Sequence, residues 1–169
     1  MRCRGGSPVL DGIDREFLPH DCAAILELYP DGISKCRYGC LGGGSCAEAC
    51  LLAAISIEGS GPPVVDEDKC VGCALCEMAC PQNIIDVIYS EHSILPKCSN
   101  TDAGKSAGEA CGNSCIACGI CVKVCPAGAI NIDEGKPVID PAVCLDCGMC
   151  AVKCPRGVIR DSRGIMTDR

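Results

Sequence analysis

Short apolar runs alternate with polar turns along this chain, and two segments repeat the same pattern. Residues 53–70 are AAISIEGSGPPVVDEDKC, and residues 127–144 are AGAINIDEGKPVIDPAVC. Each consists of a short apolar run, a polar turn that contains glycine, and a second apolar run, which predicts a β-hairpin. The likeness of the two segments indicates an internal repeat and two pseudo-symmetric halves.

Two more hairpins are predicted on similar grounds. We expect Ile84–Ile88 to pair with Ser93–Leu95, and Val158–Arg160 to pair with Ile165–Thr167 across a polar turn. The predicted fold class is therefore α+β, with short hairpins and short helices.

One short helix is predicted ahead of the repeat. Residues 21–29, DCAAILELY, place Asp21 at the N-cap, and Pro30 follows where the helix must end. We expect this helix to cover one face of the first half. Further short helices are expected after the third cysteine of each cysteine motif described below, for example at Ala151–Lys153.

Cysteine changes this picture, because it accounts for 20 of the 169 residues. Residues 70–81 (CVGCALCEMACP), 115–126 (CIACGICVKVCP) and 144–155 (CLDCGMCAVKCP) share the spacing C-x2-C-x2-C-x3-C-P. This spacing holds cubane [4Fe–4S] clusters in bacterial ferredoxins. Two intervening residues let a loop wrap one face of a cube, and the proline ends the following turn because it lacks an N–H. Zinc is the alternative, but structural zinc sites separate their cysteine pairs by longer gaps.

A looser motif, the first of four along the chain, lies at residues 36–50, CRYGCLGGGSCAEAC, with the spacing C-x3-C-x5-C-x3-C. Leu51 stands where proline is expected, and three glycines fill the widened gap. Glycine lets a backbone pass close to a cluster. We interpret this segment as a cubane motif with an enlarged loop. The alternative is a degenerate motif without a cluster, which would leave three [4Fe–4S] clusters instead of four.

Pairing of neighbouring motifs predicts the ligands, because the fourth cysteine of one motif binds the other cluster in two-cluster ferredoxins. Nested pairing, first motif with last, is the alternative, but it does not follow the repeat. The predicted ligands are Cys36, Cys40, Cys46 and Cys80 for cluster one; Cys70, Cys73, Cys76 and Cys50 for cluster two; Cys115, Cys118, Cys121 and Cys154 for cluster three; and Cys144, Cys147, Cys150 and Cys125 for cluster four.

Four cysteines lie outside this scheme, namely Cys3, Cys22, Cys98 and Cys111. They could supply a fifth cluster or an accessory ligand. Because free cysteine is among the most buried residue types, we interpret them instead as small buried hydrophobes or surface thiols. His20 and His92 lack metal-ligand neighbours in the sequence and are given no role. Asp146 lies inside the last motif, where its carboxylate is expected to disfavour the reduced form of the cluster; the alternative is a solvated loop residue without such an effect.

Composition and charge narrow the functional class. The formal net charge is −7, which argues against nucleic-acid binding and favours partners with a positive docking patch. The opening residues have no apolar signal-peptide core, and no apolar run reaches the length of a membrane span. We therefore expect a cytoplasmic protein with reduced thiols. Aromatic residues make up 2% of the chain, so clusters and their thiolates are expected to take the place of an aromatic core.

The expected organisation is two tandem dicluster ferredoxin-like units. The predicted boundaries are 1–32 for an N-terminal extension with a short helix, 33–96 for the first unit, 97–111 for a Gly/Ser-rich connector and 112–169 for the second unit.

Several of these segments resemble one family. DCAA at 21–24, KCRYGCLGGGSC at 35–46, the connector from Cys98 to Cys111 and the opening RCRG make nearly the whole chain similar to the polyferredoxin portion of the B subunit of Rnf-type ferredoxin:NAD oxidoreductases. Because members of that family begin with a membrane helix that this sequence lacks, we expect a shortened, soluble relative. The resemblance implies electron transfer through [4Fe–4S] clusters, and ligation by the first motif through Cys36, Cys40, Cys46 and Cys50.

The predicted function is that of an electron-transfer subunit, which relays single electrons within a larger cytoplasmic oxidoreductase. The alternative is a free, diffusible low-potential ferredoxin. No catalytic site is expected in the chain itself, because the cysteine sets leave no open coordination position and no P-loop or GxGxxG fingerprint is present. By analogy with aldehyde oxidoreductase-type tungsten enzymes and benzoyl-CoA reductase systems, the expected partner is a catalytic subunit that contains tungsten or flavin.

Overall fold

The computed structural model describes residues 1–59, 61–89 and 91–163. The chain divides into two compact units, Met1–Ile88 and Tyr89–Arg169. Each unit contains two of the four cysteine motifs, so each is described by itself.

The two units include two segments that the sequence analysis placed outside the ferredoxin-like units. The expected extension, 1–32, belongs to the first unit, and the expected connector, 97–111, belongs to the second. No helix in the described ranges is long and apolar enough to span a membrane.

In its described residues, 1–59 and 61–88, the first unit contains short helices and one two-stranded sheet. In chain order, its elements are a 3-10 helix at Arg15–Phe17, α1 at Cys22–Leu28, α2 at Ser45–Glu48, β1 at Ile55–Ser56, β2 at Val64–Val65 and α3 at Leu75–Met78. Strands β1 and β2 pair antiparallel, with Ile55 opposite Val65. The hairpin predicted within residues 53–70 is therefore confirmed.

Helix α1 forms as its flanking residues predict. The Asp21 carboxylate accepts hydrogen bonds from the N–H groups two and three residues later, which caps the first turn. The apolar face of the helix buries Ile25 completely, in a small core with Ile33 and Leu41. Because Leu41 directly follows Cys40, this core fixes α1 against the loop of the first cysteine motif.

Over residues 89 and 91–163, the second unit contains two antiparallel strand pairs and three helices. Its elements are β3 at Ile94–Pro96, α4 at Gly104–Ala110, α5 at Ile120–Val124, β4 at Ile130–Asp133, β5 at Lys136–Ile139, α6 at Met149–Lys153 and β6 at Ile159–Asp161. Strands β4 and β5 pair with Ile130 opposite Ile139, which confirms the second repeat hairpin. Its turn residues Glu134 and Gly135 have φ values of 44 and 76, and this mirror-image turn suits the twist of paired strands.

One of the other two predicted hairpins differs from the structure. Strand β3 pairs antiparallel with β6, so the prediction that Ser93–Leu95 pairs with Ile84–Ile88 is wrong. The physical reason is burial: Ile94 and Ile159 are 3% and 1% exposed, and pairing these strands places both in one core. Ile165–Thr167, the predicted partner of β6, lies outside the described residues.

Residues 84–88 serve a different purpose in the first unit. The Ile84 carbonyl accepts a hydrogen bond of 2.6 Å from the N–H of Arg2, and the side chains of Ile84 and Ile85 are buried. Ile84 and Ile85 thus pack into the first unit, and residues 84–88 belong to none of the described strands.

The short helices of the motifs begin earlier than predicted. Helix α6 starts at Met149, one residue before the third cysteine of its motif, and α2, α3 and α5 start at the same position. The expectation that these helices follow the third cysteine, as at Ala151–Lys153, is therefore corrected. Helix α4 is a further difference, since it lies in the segment expected to be a connector. Its sequence GKSAGEA contains good helix formers in Ala, Lys and Glu.

Candidate metal centres

All four cysteine loops share one backbone geometry. The residues two and four positions after the first cysteine of each regular motif have positive φ, and the same alternation occurs in the looser first motif. The eight residues are Gly42, Gly44, Gly72, Ala74, Ala117, Gly119, Asp146 and Gly148, with φ between 47 and 86. Alternating left-handed residues turn successive backbone N–H groups toward the inside of a loop, which favours a bound anion. A cube with four thiolate ligands carries net negative charge, so the loop geometry fits it.

At three of these positions the residue is not glycine, so the left-handed conformation costs free energy. Ala74, Ala117 and Asp146 have φ of 64, 53 and 47, where a side chain costs on the order of 1–2 kcal/mol. Strain of this kind is retained where a functional geometry requires it. The loop shape is therefore imposed by the motif and does not follow from glycine alone.

The turn after the fourth cysteine is also repeated. The third residue beyond it has positive φ in all four motifs, at Ala53, Asn83, Gly128 and Gly157. In three of them the next N–H donates a 3.3 Å hydrogen bond to the cysteine sulfur, namely Ala54 to Cys50, Ala129 to Cys125 and Val158 to Cys154. The first motif makes this turn although Leu51 replaces the proline. Such N–H···S bonds tune the potential of a cluster.

One cavity of the second unit collects a complete predicted ligand set. Its walls include the four cysteines predicted for cluster three: Cys115, Cys118, Cys121 and Cys154. Ile116, Ile132 and Val158 supply apolar walls, and Arg156 borders the same space. The four thiols are the donor set that a [4Fe–4S] cluster requires, and they stand in an apolar lining.

A corresponding cavity lies in the first unit. It brings together Cys40, Cys46 and Cys80, three of the four cysteines predicted for cluster one. Cys22, which the sequence left without a role, lines the cavity as well. Among the described residues, Cys36 is not part of its lining. It is buried, and its N–H donates to Ser7 Oγ over 2.8 Å.

Electrostatic proximity links the ligands predicted for the remaining two clusters, since Cys70 and Cys73 both raise the pKa of Cys76, after the larger effect of burial. Cys125 raises the pKa of both Cys144 and Cys150, after the larger effect of burial, so these three predicted ligands of cluster four lie near one another. Cys147 acts on Cys144 in the same way. The fourth ligand of cluster two, Cys50, stays a prediction.

Burial makes several of these thiols poor acids in the absence of metal. Burial, with a smaller contribution from neighbouring thiols, raises the pKa of Cys40 to about 12 and the pKa values of Cys115 and Cys150 to about 11. Iron binding therefore has to displace protons from these cysteines. In the described residues, no three Cys, His, Asp or Glu side chains lie close enough to hold a single ion. The ligands of a cube sit on separate corners and lie farther apart.

Asp146 is tied to the rest of the second unit by its carboxylate. Oδ1 accepts hydrogen bonds from the N–H groups of Ser93 and Ile94 at 3.3 and 3.4 Å, and Oδ2 lies 3.5 Å from His92 Nδ1. The carboxylate also raises the pKa of Cys144, although burial raises it more. His92 had no role in the sequence-based prediction, because its proximity to Asp146 arises only in the fold.

Comparison with known protein families identifies the class. Residues 114–158 match the 4Fe-4S dicluster domain, and residues 63–86 match the 4Fe-4S binding domain. The chain contains tandem 4Fe–4S ferredoxin domains, with short helices and small hairpin sheets, as predicted. The prediction of [4Fe–4S] cofactors is confirmed with it.

Curated relatives define the type of ferredoxin more closely. The chain is 42% identical over 91 residues to the B subunit of the Na(+)-translocating ferredoxin:NAD(+) oxidoreductase complex of Acetobacterium woodii, covering 54% of this chain and 27% of that protein. It is 35% identical over 140 residues to the B subunit of the ion-translocating oxidoreductase complex of Methanosarcina acetivorans, covering 83% and 53%. The predicted similarity to a polyferredoxin of the Rnf B-subunit type is confirmed.

A third relative shows the same relation. The B subunit of the proton-translocating ferredoxin:NAD(+) oxidoreductase complex of Clostridium ljungdahlii is 35% identical over 124 residues, which cover 73% of this chain and 43% of that protein. The chain thus spans about half or less of the length of these relatives.

Proposed function

We propose that this chain relays single electrons through four [4Fe–4S] clusters as a subunit of a larger oxidoreductase complex. The observation that carries the proposal is the recurrence of one loop geometry in all four motifs, including the loosely spaced first one. A degenerate motif without a cluster would have no reason to keep two left-handed residues and the turn after its last cysteine.

The residues of the chain have simple tasks in this function. A bound [4Fe–4S] cluster supplies one-electron redox chemistry. The thiolates hold it, and N–H donors such as Val158 withdraw electron density from the cysteine sulfurs, which favours the reduced state. Apolar walls such as Ile132 and Ile159 exclude water. The chain needs no acid, base or nucleophile for electron transfer.

Exposed side chains beside the second motif support close contact with a partner. Cys70 and Cys73 are exposed, and Val71 and Met78 beside them are 72% and 82% exposed. Electrons leave a protein only where a partner approaches a cluster closely, and an apolar rim favours such an approach. A subunit in a complex buries such a surface, whereas a diffusing carrier makes weak, salt-sensitive contacts.

The partner in this proposal is a larger catalytic oxidoreductase subunit. The relatives are subunits of oxidoreductase complexes, and by analogy we propose that the partner carries the tungsten or flavin centre expected from the sequence. A cytoplasmic location belongs to the same proposal, since cluster ligands must be reduced thiols.

The test is a count of iron, acid-labile sulfide and zinc after anaerobic purification. About sixteen irons and sixteen sulfides per chain support four clusters, whereas about twelve would leave the first motif empty. Zinc in place of iron would refute electron transfer. Co-purification with a catalytic protein at moderate salt supports the subunit role. A monomer that binds partners only weakly would point to the diffusible carrier.

A further inference from the structure

We propose that Cys22 of helix α1, and not Cys36, completes the ligand set of cluster one together with Cys40, Cys46 and Cys80. The proposal rests on the proposed function, because it assumes that the first motif holds a [4Fe–4S] cluster. It changes one predicted ligand and gives a role to a cysteine far from the motif in the sequence.

The spacing of the first motif is regular when it is counted from Cys40. Cys40 and Cys46 are six positions apart, as are Cys115 and Cys121 in the third motif. The left-handed residues also lie two and four positions after Cys40, as they do after Cys115. Cys40 therefore corresponds to the first cysteine of the regular motif, and the loop is not enlarged.

Hydrogen bonds ahead of the two loops support this correspondence. The N–H of Cys40 donates to Cys3 Sγ over 3.4 Å, and the N–H of Cys115 donates to Cys98 Sγ over 3.4 Å. The two units therefore hold the first cysteine of the loop in the same way.

Cys36 corresponds to a cysteine that the regular motif does not use. It stands four positions before Cys40, and Cys111 stands four positions before Cys115. The cavity for cluster three has four cysteines in its walls without Cys111. By this correspondence, Cys36 is a buried neighbour of the loop.

Gly43 occupies the place of the missing second cysteine, which is Cys118 in the third motif. A Cβ at Gly43 would lie 2.9 Å from Cys22 N, 2.9 Å from the Asp21 carbonyl carbon and 2.8 Å from Ile25 Cδ1. The start of α1 therefore fills the space in which a cysteine side chain would begin. Only glycine leaves room for it, and the helix brings Cys22 to the same place.

Hydrogen bonds fix Cys22 at the cavity. Its N–H donates to Ser45 Oγ over 2.7 Å, and Ser45 Oγ donates to Asp21 Oδ1 over 3.0 Å. Ser45 immediately precedes Cys46, so this network joins the start of α1 to the residue beside a ligand. Cys22 lines the same cavity as Cys40, Cys46 and Cys80.

The experiment compares iron content and EPR spectra of Cys22→Ala and Cys36→Ala, both purified anaerobically. We expect Cys22→Ala to lose between about one and four of about sixteen irons, because a cube with three ligands sheds a corner iron or is lost. A three-iron EPR signal would indicate a cube that has lost only its corner iron. Cys36→Ala should keep its iron and its spectrum.

The second unit provides matched controls. Cys118→Ala, the counterpart of Cys22→Ala, should lose iron to a similar extent, and Cys111→Ala, the counterpart of Cys36→Ala, should not. If Cys36→Ala loses iron while Cys22→Ala keeps it, the proposal is overturned.

Serine variants keep the proposal testable if Cys22→Ala does not fold. A serine oxygen can replace a thiolate on a cube, so Cys22→Ser should shift the EPR spectrum and lower one midpoint potential, whereas Cys36→Ser should change neither. An unaltered spectrum in Cys22→Ser would sink the assignment. Wild-type protein with about twelve irons would refute the four-cluster function itself, which distinguishes the two failures.

Discussion

The backbone N–H of Cys115 donates a hydrogen bond to the Sγ of Cys98 over 3.4 Å, and both residues are buried. Cys98 thus lies directly behind a predicted ligand, although it is not part of the described lining of the cavity. Cys98 is buried, as expected of a small hydrophobe, and its sulfur also accepts a hydrogen bond from the loop.

Cys98→Ala should retain the full iron content and lower the free energy of unfolding by about 1–3 kcal/mol, because the buried N–H of Cys115 loses its acceptor. Iron analysis and denaturant-induced bleaching of the cluster absorbance measure the two effects. Cys98→Ser is the matched control, since its hydroxyl can still accept the bond. Loss of iron from Cys98→Ala would instead identify Cys98 as a ligand.

Asp146→Asn should raise the midpoint potential of cluster four, because a negative charge beside the cluster disfavours its reduced form. Asparagine tolerates the φ of 47 at this position and can still accept the hydrogen bonds from Ser93 and Ile94. The change therefore removes charge with little effect on shape. Redox titration followed by EPR measures the shift.

Glu134→Gln is the control for Asp146→Asn. Glu134 is an exposed carboxylate in the β4–β5 turn, where it pairs with Lys136 at 3.1 Å. Its substitution should leave the midpoint potentials of all four clusters unchanged. An Asp146→Asn titration that superimposes on the wild-type curve would show that solvent screens the carboxylate.

Arg156→Gln should lower the midpoint potential of cluster three by on the order of tens of millivolts, because a cation near a cluster favours its reduced form. The guanidinium borders the cavity and donates to the carbonyls of Ser114, Cys111 and Gly112 at 3.2, 3.1 and 2.6 Å. These bonds hold the positive charge beside the third motif.

Arg156→Lys separates the electrostatic effect from the structural one. Lysine keeps the charge but cannot reproduce the fork of donors, so the potential should stay near the wild-type value while the protein becomes easier to denature. Equal drops in potential for the lysine and glutamine variants would mean that loop geometry, and not charge, sets the potential.

Removal of iron should unfold both units. The described strands have two to four residues and the described helices three to seven, too short to persist without tertiary support. Because the clusters supply that support, binding free energy becomes folding free energy. Oxidative extraction with a chelator should abolish the far-UV circular dichroism of the helices, and anaerobic reconstitution should restore it. A spectrum unchanged by extraction would contradict the expected dependence on iron.

Local spacing accounts for the part of the molecule that could be predicted. The distance in sequence between Cys115 and Cys121 fixes how a loop wraps a cube, and the alternation in residues 127–144 with its Glu134–Gly135 turn fixes a hairpin. Both depend on neighbours in the chain. The class of protein, the cofactor and the tandem fold followed from such local patterns.

Tertiary packing decided the rest. Strand β3 pairs with β6, more than sixty residues away, because burial of Ile94 and Ile159 together outweighs the formation of a local hairpin. Cys22 approaches Cys40 and Cys46 because the Ile25 core docks α1 on the first loop. Spacing within a motif cannot reveal a residue that arrives from a separate helix. The signal for such a residue in the sequence was Gly43, which stands where the regular motif has its second cysteine.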